Sequence, residues 1–227
     1  MRRAGDELTE RWPAIHYLVH SAGVVRGRRV ATDEGLESNF ATNYLSRFLL
    51  TVRLLPALEA AGRPGKAARI LAVSHPGFTG EIHYDDVNLT KSFSTIRAFR
   101  QFHFANDVFA VELARRQNGA GGVPCVTIAC LHPGPTKDTN IDAQMPLWMK
   151  LMVRSIVGPL VAHTPDVPAT TALRLLLADE WEGQSGALFS LVGKFKQVPV
   201  SQSVADQGEG QRLWAFSEAL IRTALAS

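Results

Sequence analysis

Apolar residues along this chain fall into short solid runs and longer stretches of helical spacing. Ile15 to Val19 is a short apolar run that ends at Ser21-Ala22-Gly23, the pattern of a buried strand entering a loop. Residues 68–74 and 124–131 repeat that pattern, and residues 186–191 form a fourth, shorter run. Between them, Leu36, Phe40, Tyr44, Phe48, Leu55 and Leu58 recur at helical spacing over 35–61, and Gly62-Arg63-Pro64-Gly65 stops that helix. A second long helix is predicted over 95–117, ended by the glycines at 119–122. Helices are also predicted over 3–12, 145–179 and 212–226, and 76–91 reads as a polar loop. Strands alternating with helices mean a mostly parallel sheet flanked by helices, hence an α/β layered fold in a single domain over 1–227.

Composition narrows the function. The 227 residues are 46% hydrophobic and 20% charged, an ordinary globular balance. A net charge of +3 is too small to suggest a nucleic-acid partner. The two cysteines, Cys125 and Cys130, lie five apart in one strand-like run and face opposite sides, so no disulfide is expected and a reducing, cytoplasmic setting is. The charged N-terminus is not followed by an apolar core, and no apolar stretch is long enough to span a bilayer. The apolar segment 145–161 reads as a helical flap over a cleft or a partner.

In a parallel sheet the chemistry sits at the carboxyl ends of the strands. Those ends carry His20 and Ser21, Ser74 and His75, and His132-Pro133-Gly134. Three of the seven histidines therefore converge on one edge.

These landmarks resemble the short-chain dehydrogenase/reductase family, in particular its retinol-dehydrogenase-like branch. His20-Ser21-Ala22-Gly23 sits where the family has Asn-Asn-Ala-Gly. The stretch 39–45 resembles the helix with the active-site Asn, which is Asn43 here, and 69–74 resembles the strand leading to the catalytic Ser. Asp86-Val87-Asn88, Ala105-Asn106, His132-Pro133-Gly134 and Arg212-Leu213-Trp214 follow in family order. The resemblance implies a Rossmann-like three-layer fold with family strands 4-5-6-7, and a homo-oligomer built on the two long helices.

The same comparison shows departures. The family's opening strand and Gly-rich phosphate turn, Thr-Gly-x-x-x-Gly-x-Gly, are not in these 227 residues. The family's catalytic Tyr position is Phe99, its Lys position is His103, and its Ser position is His75, preceded by Ser74. Phe99 has no oxygen with which to move a proton. The expectation drawn from this is a truncated reductase fold that binds no cofactor. It would act as a non-redox acid/base catalyst, by cyclisation, dehydration, aldol closure or isomerisation of a small carbonyl or polyketide-type metabolite.

His75 and His103 would move protons, with Asn43 and Ser74 orienting a carbonyl. His20, Ser21, Tyr84, Phe99, His132 and Thr136 would line the substrate pocket. Two alternatives stand beside this one: a non-catalytic accessory protein, and an NADP-dependent reductase completed by another chain. Asp85 and Asp86 read as a solvated loop or a cap, and Arg26, Arg28 and Arg29 as a solvated basic loop. No His-x-His or HExxH spacing supports a metal site.

Overall fold

The computed structural model describes residues 2–118, 123–137, 145–152, 155 and 162–226. Within them, strands β1 (Tyr17–His20), β2 (Ala68–Val73), β3 (Val126–His132), β4 (Ala187–Ser190) and β5 (Lys196–Val198) form one sheet in chain order. β1 to β4 run parallel, and β5 closes the far edge antiparallel to β4. The expected α/β fold is present. β5 was not read from the sequence because Lys196-Gln197-Val198 is short and mostly exposed, with no apolar run to mark it.

The helices make the crossovers. α1 (Arg2–Arg11) packs on α2, which runs through Ser38–Phe40, a π-helical turn at Ala41–Leu45, and Ser46–Ala61. Glu37 starts α2 by accepting the backbone N–H groups of Asn39 and Phe40. α3 (Thr95–Gln117) is capped by Ser94, whose hydroxyl accepts the N–H of Arg97. α4 (Leu147–Met152) and α5 (Asp166–Leu177) fall inside the region expected to be helical over 145–179. That region is not continuous: His163 is extended and bridges to Thr136. Part of the expected flap, at 153–154 and 156–161, lies outside the described residues, as do the glycines at 119–122. α6 (Gln202–Ala205) leads into α7 (Gln207–Ala226), which starts five residues earlier than its apolar pattern suggests.

The main core lies between the sheet and α2, α3 and α7. Phe48 meets Trp214 and Phe109 edge-on at centroid distances of 5.0 and 5.3 Å, and the Tyr44 hydroxyl shares a 2.7 Å hydrogen bond with Ser217. Each such buried ring contributes about 1.5–3 kcal/mol of transfer free energy, and together they pin α3 in place under the strand ends. A smaller cluster on the opposite face joins Leu71, Leu131 and Phe189 to Leu175 and Leu176 of α5. Among the described residues no helix is long and apolar enough to cross a membrane.

Candidate active site

β2 delivers Ser74 and His75 to its carboxyl end, and α3 passes beside that end with Phe99, His103 and Asp107 spaced one turn apart. His103 is buried against the loop after β2. Its Nδ1 accepts the backbone N–H of His75 at 3.0 Å, and the Ser74 hydroxyl lies 3.0 Å from the same nitrogen. A backbone amide can only donate, so Nδ1 carries no proton and the neutral ring bears its hydrogen on Nε2. The serine hydroxyl then also donates to Nδ1. Among the described residues nothing hydrogen-bonds to Nε2.

The other rings close around this one. His75 stacks on His132, centroids 3.7 Å apart and planes within 13°. Phe99 meets His103 at 4.2 Å and His75 at 5.7 Å, both edge-on, and Phe78 meets His75 at 4.6 Å. Burial pushes His75 down to about 4 and His132 to about 3, the charge of His75 adding to the latter. His103 is held well below the ordinary imidazole range, by burial first and then by His75, Arg47 and His132. Near neutral pH the cluster is therefore uncharged. Two stacked rings present their faces to each other, and among the described residues no three His, Cys, Asp or Glu side chains are placed to share a metal ion.

Of the residues singled out from the sequence, Ser74, His75, Phe99, His103 and His132 come together. Asn43 does not act on that cluster. Its Oδ1 accepts the N–H of Val24 and its Nδ2 donates to the carbonyls of Val24 and Asn39, so it fixes the loop after β1 from the π-helical turn. His20 turns inward to Thr51 at 2.8 Å and is held at about 3 by burial and Arg47. Ser21 is exposed in the loop that follows. Thr136 bonds back to Gly134 at 3.2 Å, beyond β3.

Tyr84 belongs elsewhere. Its hydroxyl donates to Glu209, its ring packs on Phe216, and the Arg212 guanidinium sits over it, all on α7. Asp86 caps the turn at Thr90 and Lys91, as a loop carboxylate should, and Arg29 ties to the carbonyl of Asn88.

Two residues were missed. Arg47 is buried and donates to the carbonyls of Ala22 and Val73, joining the ends of β1 and β2. Burial pulls it down to about 10. Asp107 is fully buried and accepts the N–H of Gly77. The signal for it was available: an acidic residue inside the apolar stretch 104–110, four places after His103.

This edge, with its parallel sheet and long site helix, has the layout of a short-chain dehydrogenase/reductase, and the chain's homologues are dehydrogenases of that family. It is 31% identical to human retinol dehydrogenase 14 over 219 residues, covering 95% of this chain and 61% of that protein. It is 32% identical to mouse polyprenol dehydrogenase over 202 residues, covering 88% of this chain and 58% of that one. An uncharacterised protein from Mycobacterium paratuberculosis superposes with a TM-score of 0.70 at 26% identity, over 97% of this chain and 70% of its own. A ketoacyl-(acyl-carrier-protein) reductase from Brucella melitensis, solved with NADH, shares the fold at a TM-score of 0.59 and 16% identity, over 84% of this chain and 71% of its own. No family profile matches the chain.

These likenesses correct the reading of a cofactor-free, non-redox catalyst. The relatives are named as dehydrogenases, and among the neighbours of this fold NADH and NADP are bound. That reading rested on the Gly-rich turn missing from these residues and on Phe99 and His103 standing in the family's Tyr and Lys positions. The chain spans about three fifths of the length of the curated relatives it matches, so the absence of that turn from these 227 residues has no bearing on cofactor use.

The donor set can be tested against a nicotinamide-linked reaction. Such chemistry needs a hydrogen-bond donor or proton carrier at the substrate oxygen. Phe99 cannot serve, but His103 presents an Nε2–H from the next turn of the same helix face, on a ring locked at Nδ1. The donor set fits in kind, with a different residue type from the family's.

Proposed function

We propose that this chain is the substrate-handling part of a nicotinamide-dependent alcohol/aldehyde oxidoreductase for a hydrophobic, isoprenoid-type substrate. The observation that carries it is the 31% identity to retinol dehydrogenase 14, which covers 95% of the chain and so runs through the strand ends and α3. The polyprenol dehydrogenase likeness supports the same substrate class.

In this reading the loops after β1, β2 and β3 (Ser21 to Gly23, His75, and Pro133 to Thr136) hold the cofactor's nicotinamide end, at the crevice where such sheets bind ligands. The bound dinucleotide supplies hydride exchange with the substrate carbon. His103 hydrogen-bonds through Nε2–H to the substrate oxygen and stabilises the charge that gathers there, while the proton that completes the alcohol comes from solvent. Ser74 and the His75 amide keep its tautomer fixed. His132 backs His75, and Phe99 walls the pocket where the family has a phenol. We also propose that the protein works as a homo-oligomer in the cytoplasm.

The experiment is NADPH oxidation at 340 nm with retinal and long-chain isoprenoid aldehydes, NADH run in parallel. Turnover is expected, with His103→Phe lowering it about 100-fold or more. No turnover and no binding of either cofactor would remove the redox reading. Equal turnover in His103→Phe would remove only the role given to His103.

A further inference from the structure

α3 grips the loop after β2 at two points, one helical turn apart. His103 holds the backbone N–H of His75 through Nδ1, and Asp107 holds that of Gly77 through Oδ2 at 2.8 Å. Between those two amides stands the His75 ring, stacked on His132. Gly77 has φ 84°, and a Cβ there would meet Val198 of β5 at 2.6 Å, so the loop is pressed onto α3 from the other side as well.

The second grip is unusual. Asp107 has no exposed surface, and its other oxygen, Oδ1, is buried with no hydrogen-bond partner among the described residues. A buried carboxylate oxygen without a donor is costly to keep charged, while a protonated acid makes a weaker acceptor for the Gly77 amide. Neither state satisfies both oxygens.

We propose that Asp107 is a positioning residue: through Gly77 its carboxyl holds the loop that carries His75, and gaining or losing its proton changes that hold. The inference rests on the reading of the strand-end cleft as the active site. The Asp107 carboxyl bonds the Gly77 backbone amide, so it acts through the backbone. The groups that face it are few. Cys130 on β3 feels its charge, His103 lies one turn before it, and Arg47 of α2 reaches the adjacent Asn106. From β5, Val198 lies against the loop at Gly77, and the strand also carries the exposed Lys196. No carboxylate shares its proton within this set. Burial, opposed by the Gly77 amide, pushes Asp107 up to about 7, so the change in hold falls near neutrality.

The test is two-dimensional NMR of the labelled protein from pH 5 to 9, following the Gly77 amide and the His75 ring. Both signals should move with one midpoint near 7. Asp107→Asn keeps an acceptor for Gly77 but cannot ionise, and should flatten both curves. Asp107→Leu removes the acceptor, and the Gly77 amide should exchange with solvent about tenfold faster or more. A Gly77 signal that does not titrate, or one that titrates equally in Asp107→Asn, overturns the proposal. The Asn variant keeps the test decisive if the Leu variant fails to fold. No cofactor is needed, so a failed NADPH assay with an intact Gly77 titration would sink the redox reading and leave this one standing.

Discussion

Each imidazole on the strand-end edge is kept neutral by what surrounds it. His20, His75 and His132 sit at about 3, 4 and 3, and His103 is also lowered, against 6.5 for the free ring. The unfolded chain therefore binds more protons than the fold as pH drops below about 6.5. Stability from these rings is complete above that pH and is lost as pH falls toward 4. Asp107 works in the opposite sense, because its raised affinity keeps a proton that the unfolded chain releases above 3.8. Four rings outweigh one carboxyl. The melting temperature is thus expected to be lower at pH 5 than at pH 7.5, by about 2–4 °C for each kcal/mol lost. A melting temperature at pH 5 equal to or above that at pH 7.5 would show that the rings are not buried neutral.

At the scale of elements, close approach of backbone sets the geometry of the site. α2 ends at Gly62, and a Cβ there would stand 1.8 Å from the carbonyl oxygen of Cys125, the same oxygen that accepts the N–H of Ala68 at the start of β2. The position needs glycine because there is no room for a side-chain atom, and its φ of −80° is ordinary. Gly62→Ala is expected to push α2 off the sheet at a cost of about 3 kcal/mol, lowering the melting temperature by about 6–12 °C. Thermal unfolding followed by circular dichroism checks it, and an unchanged midpoint would mean the strand start yields freely. The π-helical turn at Ala41–Leu45 has a comparable local role, since it carries the Asn43 that ties down the loop after β1.

For the whole molecule, β1 is an edge strand among the described residues, and Tyr17 and Val19 on it are nearly half exposed. On α4, Leu147, Trp148 and Leu151 are more than half exposed. Exposed apolar side chains on a strand edge favour association. Light scattering behind size-exclusion chromatography should give at least twice the mass of one chain. A monomer would count against the proposed homo-oligomer and leave the site assignment untouched.

The order of strands and helices, the parallel sheet and the edge that carries the chemistry were all legible in the residues. Hydrophobic periodicity reports local burial, and a parallel sheet puts its loops at known ends. The substitutions at 75, 99 and 103 were read from the resemblance to the family's Ser and Tyr-x-x-x-Lys pattern, and helix spacing adds only that Phe99 and His103 share a face. What the sequence left open depended on contacts between distant residues. His20 and Tyr84 were given to the site by proximity in the chain, yet one turns to Thr51 and the other to α7. β5 is specified by pairing with β4 rather than by its own polarity. The tautomer of His103, the stacking of His75 on His132 and the hold of Asp107 on Gly77 exist only once α3 lies against the end of β2. A side chain's proton affinity and hydrogen-bond partners are set by what folding packs around it, and that is decided by the tertiary structure.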